Sequence, residues 1–385
     1  MPRVVRLYMS FQFFFNLLLW VPIFYTFQRQ MGLNDPQIFG IQSIYYVAFC
    51  LFEIPTGTIA DRYGYRCSML LGAGMLTLAN LLPVFQTGYT SFLIHFLAVA
   101  LARSLISGAS SAYLYEYLKA QSASEIYKKV EADARFYSLI GRIAAWAAVG
   151  WLMTWQASSP YWISAINAGI SLVIVLLMPS VSIPLATSKG SLRDLVSTLN
   201  SRLALLMLQG VGIFVMVRVL QVNLYQPVLT AKAFDVTTFG WSMSLMTVFE
   251  AVGAKVAPYL RRRLSDLTVV TLSTLTLSAA LVLVAASEQA GTLAAFCLFS
   301  FAAGVAFPVQ KQLLNDAISD SRQRATVLSL ESILDRALCA LAVLPLGGLV
   351  ARGHLGLVLC VTGIIAALAA LMIQPWYRYM SKSMP

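Results

Sequence analysis

Polar and apolar residues in this chain segregate into long blocks. About twelve apolar runs of roughly 20 residues recur, near 4–28, 38–60, 67–86, 90–118, 136–156, 161–179, 203–225, 238–259, 267–286, 291–313, 326–350 and 355–374. A helical run of that length crosses a bilayer core of about 30 Å. The runs lack the two-residue alternation of barrel strands, so the pattern predicts helices. One longer polar interruption, 180–202, falls almost at the midpoint and contains Pro184, Lys189, Gly190, Arg193 and Asp194. It divides the chain into residues 1–179 and 203–385, with six runs on each side of a linker. An interfacial helix over Leu192–Leu206 is expected to feed the seventh run. The prediction is an all-α polytopic membrane protein with twelve transmembrane helices in two six-helix bundles.

Composition and charge agree. The chain has 385 residues, 59% hydrophobic and 11% charged, against about a quarter charged in a soluble domain. The net charge of +11 does not point to nucleic acid, because its distribution is one-sided. Eighteen Lys and Arg residues, among them Arg3, Arg62, Arg66, Lys128, Arg193, Arg261, Arg262 and Arg263, fall in alternate connections and the two ends. The other connections hold only Arg29, Lys232 and Arg352. Basic residues mark the cytoplasmic side, which places both termini in the cytoplasm of a cell membrane, the bacterial inner membrane being the expected one. The five cysteines have no C-x-x-C pairing, and the two histidines cannot form a ligand cluster. No metal and no cofactor is expected.

The halves carry traces of a repeat. Phe52-Glu53 and Phe249-Glu250 precede equivalent connections, and at that offset Ala60 meets Ala257 and Arg66 meets Arg263. The connection after the second run, Gly57 to Arg66, reads G-T-I-A-D-R-Y-G-Y-R. It resembles the loop signature G-x-x-x-D-R-x-G-R-[RK] of the major facilitator superfamily. Gly57, Asp61, Arg62, Gly64 and Arg66 fall on the pattern, and Tyr65 replaces a basic residue. Arg103 to Gly108 resembles the family's R-x-x-x-G signature with the glycine one residue late. The fifth run lacks the family's antiporter signature G-x-x-x-G-P-x-x-G-G. The resemblance implies the two-bundle transporter fold and alternating access without a nucleotide. It also implies that Asp61 latches the halves near Ala325, with Arg62 or Arg66 pairing with Glu116.

Candidate chemistry lies in ionisable residues within the apolar runs, since a charge at the bilayer centre costs on the order of 3 kcal/mol or more unless it faces a cavity or partner. Glu250, Glu53, Asp335 and Glu331 are the candidates for carrying a coupled proton. Glu331 and Asp335 are i,i+4 neighbours and repel unless a cation or a proton intervenes. Arg103, Arg142 and Arg218 are substrate-cavity candidates, together with Asn16, Trp20, Tyr46, Trp146, Gln209 and Gln221. The polar run Gln221, Asn223, Tyr225, Gln226, Pro227 predicts a kinked or unwound end to the seventh helix. For each acid and aromatic the alternative is a structural hydrogen bond or simple packing. No nucleophile elbow, phosphate loop or metal spacing appears, so no enzyme is expected. The expected activity is proton-coupled export of a small amphipathic molecule by a monomer. Uptake of an anionic nutrient or a metal chelate such as a siderophore is the alternative, and a non-transporting receptor or scaffold is the reading of another class.

Overall fold

The computed structural model describes residues 2–181, 201–318 and 324–382, which form helices and, among the described residues, no strand. The linker 180–202, with its expected interfacial helix, lies almost wholly outside them. In the first half the helices are α1 (Pro2–Asn16), α2 (Phe24–Gln30), α3 (Asp35–Tyr63), α4 (Tyr65–Phe85), α5 (Tyr89–Ile106), α6 (Ala109–Ala120), α7 (Tyr127–Ala147), α8 (Val149–Trp155) and α9 (Ser159–Leu177). The second half has α10 (Ser201–Arg218), α11 (Tyr225–Ala231), α12 (Thr237–Arg261), α13 (Asp266–Ala286), α14 (Gln289–Ala317), α15 (Arg324–Ala351) and α16 (Leu355–Lys382).

Among the described residues nine helical segments are long and apolar enough to cross a membrane, and two bent pairs bring the number to eleven. The remaining expected run is α12, whose 25 residues reach about 37 Å but carry Glu250 and Lys255. The protein is thus an all-α, multi-pass membrane protein. Its chain divides into two compact units, Met1–Thr187 with Asp235–Ser244, and Ser188–Phe234 with Leu245–Pro385. Within each unit the same scheme recurs. The third expected span packs on the fourth and sixth (α4 on α5 and α9; α13 on α14 and α16), and the first packs on the fifth (α1 on α7; α10 on α15). That is the packing of a repeated six-helix unit.

Local chemistry sets the helix ends. Asn34 and Gln37 form a reciprocal capping box at the start of α3, which satisfies two backbone N–H groups that the helix itself leaves open. Gly64 stops α3 and starts α4 with φ +96°, a left-handed value that glycine adopts without a Cβ clash. The signature loop is therefore one residue long.

Several spans are broken. The chain leaves helical geometry between Asn16 and Val21, and side chains from elsewhere in the first unit take up the freed backbone groups. Asn167 Nδ2 donates to Leu17 O (3.1 Å), Trp146 Nε1 donates to Leu18 O (2.8 Å), and Leu19 N donates to Ser164 Oγ (2.8 Å). Such replacement is what makes irregular backbone tolerable at membrane depth. Gly108, at φ +80°, separates α5 from α6. The seventh span passes through a π-helical segment, Val219–Leu224, at the polar run expected to distort it. The fifth span corrects the sequence reading: expected from residue 136, it starts at Tyr127 and bends by 44° between α7 and α8.

Candidate functional site

The first unit gathers polar side chains along one face of α1. Tyr8, Gln12 and Asn16 recur every four residues, so they stack on one side of the helix. Asn16 Nδ2 donates to Gln12 Oε1 (3.1 Å), Gln12 Nε2 to the Tyr8 hydroxyl (2.9 Å), and that hydroxyl to Glu131 Oε2 (2.6 Å). Ser111 Oγ from α6 donates to Glu131 Oε1 (3.0 Å), and Gln12 Nε2 also reaches Ser110 Oγ (3.2 Å). Glu131, on α7, thus ends a hydrogen-bonded chain that begins at Asn16. Arg135, one turn on and largely exposed, approaches it at 3.6 Å.

Other expected cavity residues of this unit have different surroundings. Trp20 is buried, stacks on Tyr161 (5.9 Å between ring centres), and donates from Nε1 to Asn80 Oδ1 at 2.8 Å. Tyr46 is buried with its ring edge-on to Tyr45. Trp146 is buried and pinned to Leu18 O, and the Arg142 guanidinium lies 5.5 Å from its ring centre, a cation–π arrangement. Arg103 occupies the last turn of α5 beside the break, and its carbonyl accepts from Ser107 N. Glu53 sits where α3 bends by 40° before Pro55.

The signature residues form a compact turn. Arg66 donates to Val175 O (3.2 Å) and Leu176 O (2.8 Å) at the end of α9. Its hydrogen bonds thus go to carbonyls at a helix end, where positive charge is favoured, and not to Glu116. Arg62 lies over the Tyr63 ring at 5.5 Å. Tyr65 lies in the electrostatic field of both Asp61 and Glu116. Gly57 has open space where a Cβ would be. The start of α15 near Ala325, the partner expected for Asp61, belongs to the other unit.

The second unit holds two polar centres. In the first, Gln221 of the π-helical segment donates from Nε2 to Glu250 Oε2 (3.4 Å) and to Ser300 Oγ (3.2 Å). This joins the seventh, eighth and tenth spans. The backbones of α12 and α14 touch at the same level. A Cβ on Gly304 would lie 2.0 Å from Glu250 O, and one on Gly253 would lie 2.1 Å from Phe301 O. Small residues at such crossings let helices approach more closely than any side chain permits. The π-helical turn displaces Gln221 from ordinary α register, a distortion often found at functional positions.

In the second centre, Lys311 Nζ on α14 pairs with Glu331 Oε2 on α15 at 2.6 Å. Glu331 is 7% exposed at its side chain and Lys311 is 52% exposed. Asp335 lies one turn along α15 and feels the charges of Glu331, Lys311, Arg336 and Arg218. Arg336 donates to Ser332 Oγ (2.6 Å), and Arg218 lies 5.3 Å from the Phe214 ring centre. Lys311 thus pairs with Glu331, while Asp335 still feels the Glu331 charge. Gly210 makes room for the centre, since its Cβ would meet Gln310 Nε2 and Glu331 Oε1 at 3.1 Å each. Its neighbour Gln209 is buried, and neither atom of its amide has a hydrogen-bond partner among the described residues.

The sequence reading missed Tyr8, Gln12, Ser111 and Glu131 in the first unit, and Ser300, Gln310 and Lys311 in the second. A signal existed for Glu131. With Arg135, Ser138 and Arg142 it forms a polar stripe at helical spacing, starting before the run in which the span was sought.

Two units of similar helix packing with charged centres on membrane helices are an arrangement suited to a membrane transporter. The family model of the Major Facilitator Superfamily matches residues 7–330, and the chain belongs to that family. It is a transporter and not an enzyme. Among curated proteins no sequence matches it. Among solved structures, the nucleoside transporter NupG is similar over 98% of this chain and 100% of its own, with a TM-score of 0.81 and 16% identity. A D-xylose-proton symporter is similar over 97% and 96%, with a TM-score of 0.73 and 14% identity. A POT family transporter, in complex with a thioalcohol-conjugated peptide, is similar over 98% and 95%, at a TM-score of 0.77 and 13% identity. At these identities the likeness concerns the fold.

Proposed function

We propose that the protein is a proton-coupled secondary transporter that exports a small amphipathic molecule by alternating access, in a cell membrane with both termini cytoplasmic. The observation that carries the reading is Glu250. Its carboxylate lies on a membrane helix and takes a hydrogen bond from the neutral Gln221 amide. Gln221 belongs to the π-helical turn of the seventh span, so a change of charge on Glu250 acts directly on the segment where that span leaves α register. Asp335 and Glu331, beside Lys311, form a second acidic centre, and Glu53 sits at the equivalent place of the first half. Arg103, Arg142, Arg218, Asn16, Gln209 and Gln221 contribute polar contacts to the substrate path, and Tyr46 and Trp146 shape its aromatic wall, while Trp20 is turned into the packed interior of the first unit. Gly57, Asp61, Arg62, Gly64, Arg66 and Glu116 act as the conformational latch. A neighbour described as a D-xylose-proton symporter is in keeping with proton coupling on this fold.

A second reading, uptake of an anionic solute, is favoured by one feature. Arg218, Lys311 and Arg336 all act electrostatically on Asp335, a concentration of cations suited to an anionic solute. Proton flux separates the readings. Proteoliposomes containing a pH-sensitive dye are given ethidium, tetraphenylphosphonium, organic anions and iron chelates in turn. Export by antiport predicts proton movement opposite to an amphipathic cation, abolished in Glu250→Gln. Proton movement in the same direction as an anion establishes the second reading, and substrate movement without a proton signal defeats both.

A further inference from the structure

We infer that the first unit holds at least one ordered water molecule among the buried side chains of Trp20, Asn80, His95 and Tyr161. The four side chains come from the break after α1 and from α4, α5 and α9, and they form one cluster. The Trp20 ring centre is 5.1 Å from that of His95 and 5.9 Å from that of Tyr161, and His95 and Tyr161 are 5.5 Å apart. Asn80, His95 and Tyr161 are 0% exposed. Phe96 and Phe27 close the aromatic wall around them.

Three polar atoms of this cluster, Asn80 Nδ2, His95 Nε2 and the Tyr161 hydroxyl, have no hydrogen-bond partner among the described residues. Their roles follow from the partners their neighbours have. The Trp20 indole can only donate, so the atom that it meets at 2.8 Å is the Asn80 carbonyl oxygen and the amide NH2 is the free end. The Ala79 carbonyl can only accept, so His95 Nδ1, 2.7 Å from it, carries the proton. Nε2 of the neutral ring is then an acceptor. The Tyr161 hydroxyl can do either. The cluster therefore offers one donor, one acceptor and one group of both kinds, away from bulk solvent. Water accepts from Asn80, donates to His95 and bonds Tyr161, which matches the two to four partners a buried water requires. Buried polar groups in native proteins are satisfied in this way when protein atoms do not reach them.

The location gives the water a role. Trp20 immediately follows the residues whose backbone is held by Ser164, Asn167 and Trp146, and Ser164 lies three residues beyond Tyr161. A water at this joint lets Trp20 and α2 change tilt against α9 while hydrogen bonds are exchanged and none is lost.

X-ray radiolytic footprinting of the full-length protein in nanodiscs tests this, because radicals formed from a bound water label the side chains beside it even when bulk solvent is excluded. Tyr161 is expected to oxidise several-fold faster than Tyr225, equally buried in the second unit, and its new oxygen should come from pre-equilibrated ¹⁸O water. Oxidation at the Tyr225 rate overturns the inference on the wild-type protein alone. In His95→Phe the Tyr161 rate is expected to drop toward that of Tyr225. An unchanged Tyr161 rate in that variant, correctly folded, also overturns it.

Discussion

Replacing Gly304 by alanine places a methyl group where the Glu250 carbonyl oxygen now lies 2.0 Å away and Ala254 N lies 3.0 Å away. Both obstacles are backbone atoms of α12, so no side chain can rotate aside. Ordinary contact begins near 3.4 Å, which requires the two helices to part by about 1.4 Å at this crossing. Overpacking of that kind costs about 1–3 kcal/mol. For a unit of this size each kcal/mol moves the melting temperature by about 2–4 °C, so a fall of roughly 2–12 °C is expected. The assay is intrinsic tryptophan fluorescence during a thermal ramp in nanodiscs. Gly212→Ala is the control, because nothing lies within 4 Å of its Cβ position and alanine favours a helix over glycine by about 0.8–1 kcal/mol. A Gly304→Ala protein that melts at or above the wild-type temperature, with the control unchanged or raised, would refute the close crossing and the placement of Glu250 derived from it.

Other perturbations reach the remaining contacts. Trp146→Phe keeps the ring but removes the donor to Leu18 O, leaving a buried carbonyl unpaired at a cost of about 1–3 kcal/mol; the same thermal ramp should show a lower melting temperature. Lys311→Met and Glu331→Gln form a double-mutant cycle in which the pair couples by about 1 kcal/mol, the half-exposed lysine limiting the gain; strict additivity would mean the pair contributes nothing. Arg66→Ala releases the last carbonyls of α9, and hydrogen exchange measured by mass spectrometry should accelerate at the end of α9 while that of α13 stays unchanged.

The block pattern made most of the fold legible, because a membrane span needs about 20 apolar residues whatever its neighbours. The breaks were less legible. The interruption after Asn16 is stabilised by Asn167, Trp146 and Ser164, more than a hundred residues away, and only the fold brings them there. The break at Gly108 went unread inside the run 90–118, whereas the polar run after Arg218 marked the π-helical segment. Glu131 was passed over because the opening of α7, Lys128-Lys129-Val130-Glu131, looks like a connection. Lys311 was passed over because Gln310-Lys311-Gln312 reads as the frayed end of a span, whereas α14 continues to Ala317. Glu250 and Gln221 were both marked as candidates from separate runs; that Gly253 and Gly304 let their helices touch could be seen only once the helices were paired.

The most direct measurement compares two activities of Glu250→Gln in proteoliposomes, with ethidium as the probe. One is exchange of labelled for unlabelled ethidium at equal pH on both sides, and the other is accumulation driven by a pH gradient. Coupling through Glu250 predicts that exchange persists near the wild-type rate while gradient-driven accumulation falls to background. Accumulation at the wild-type level, or loss of both activities together, would contradict it.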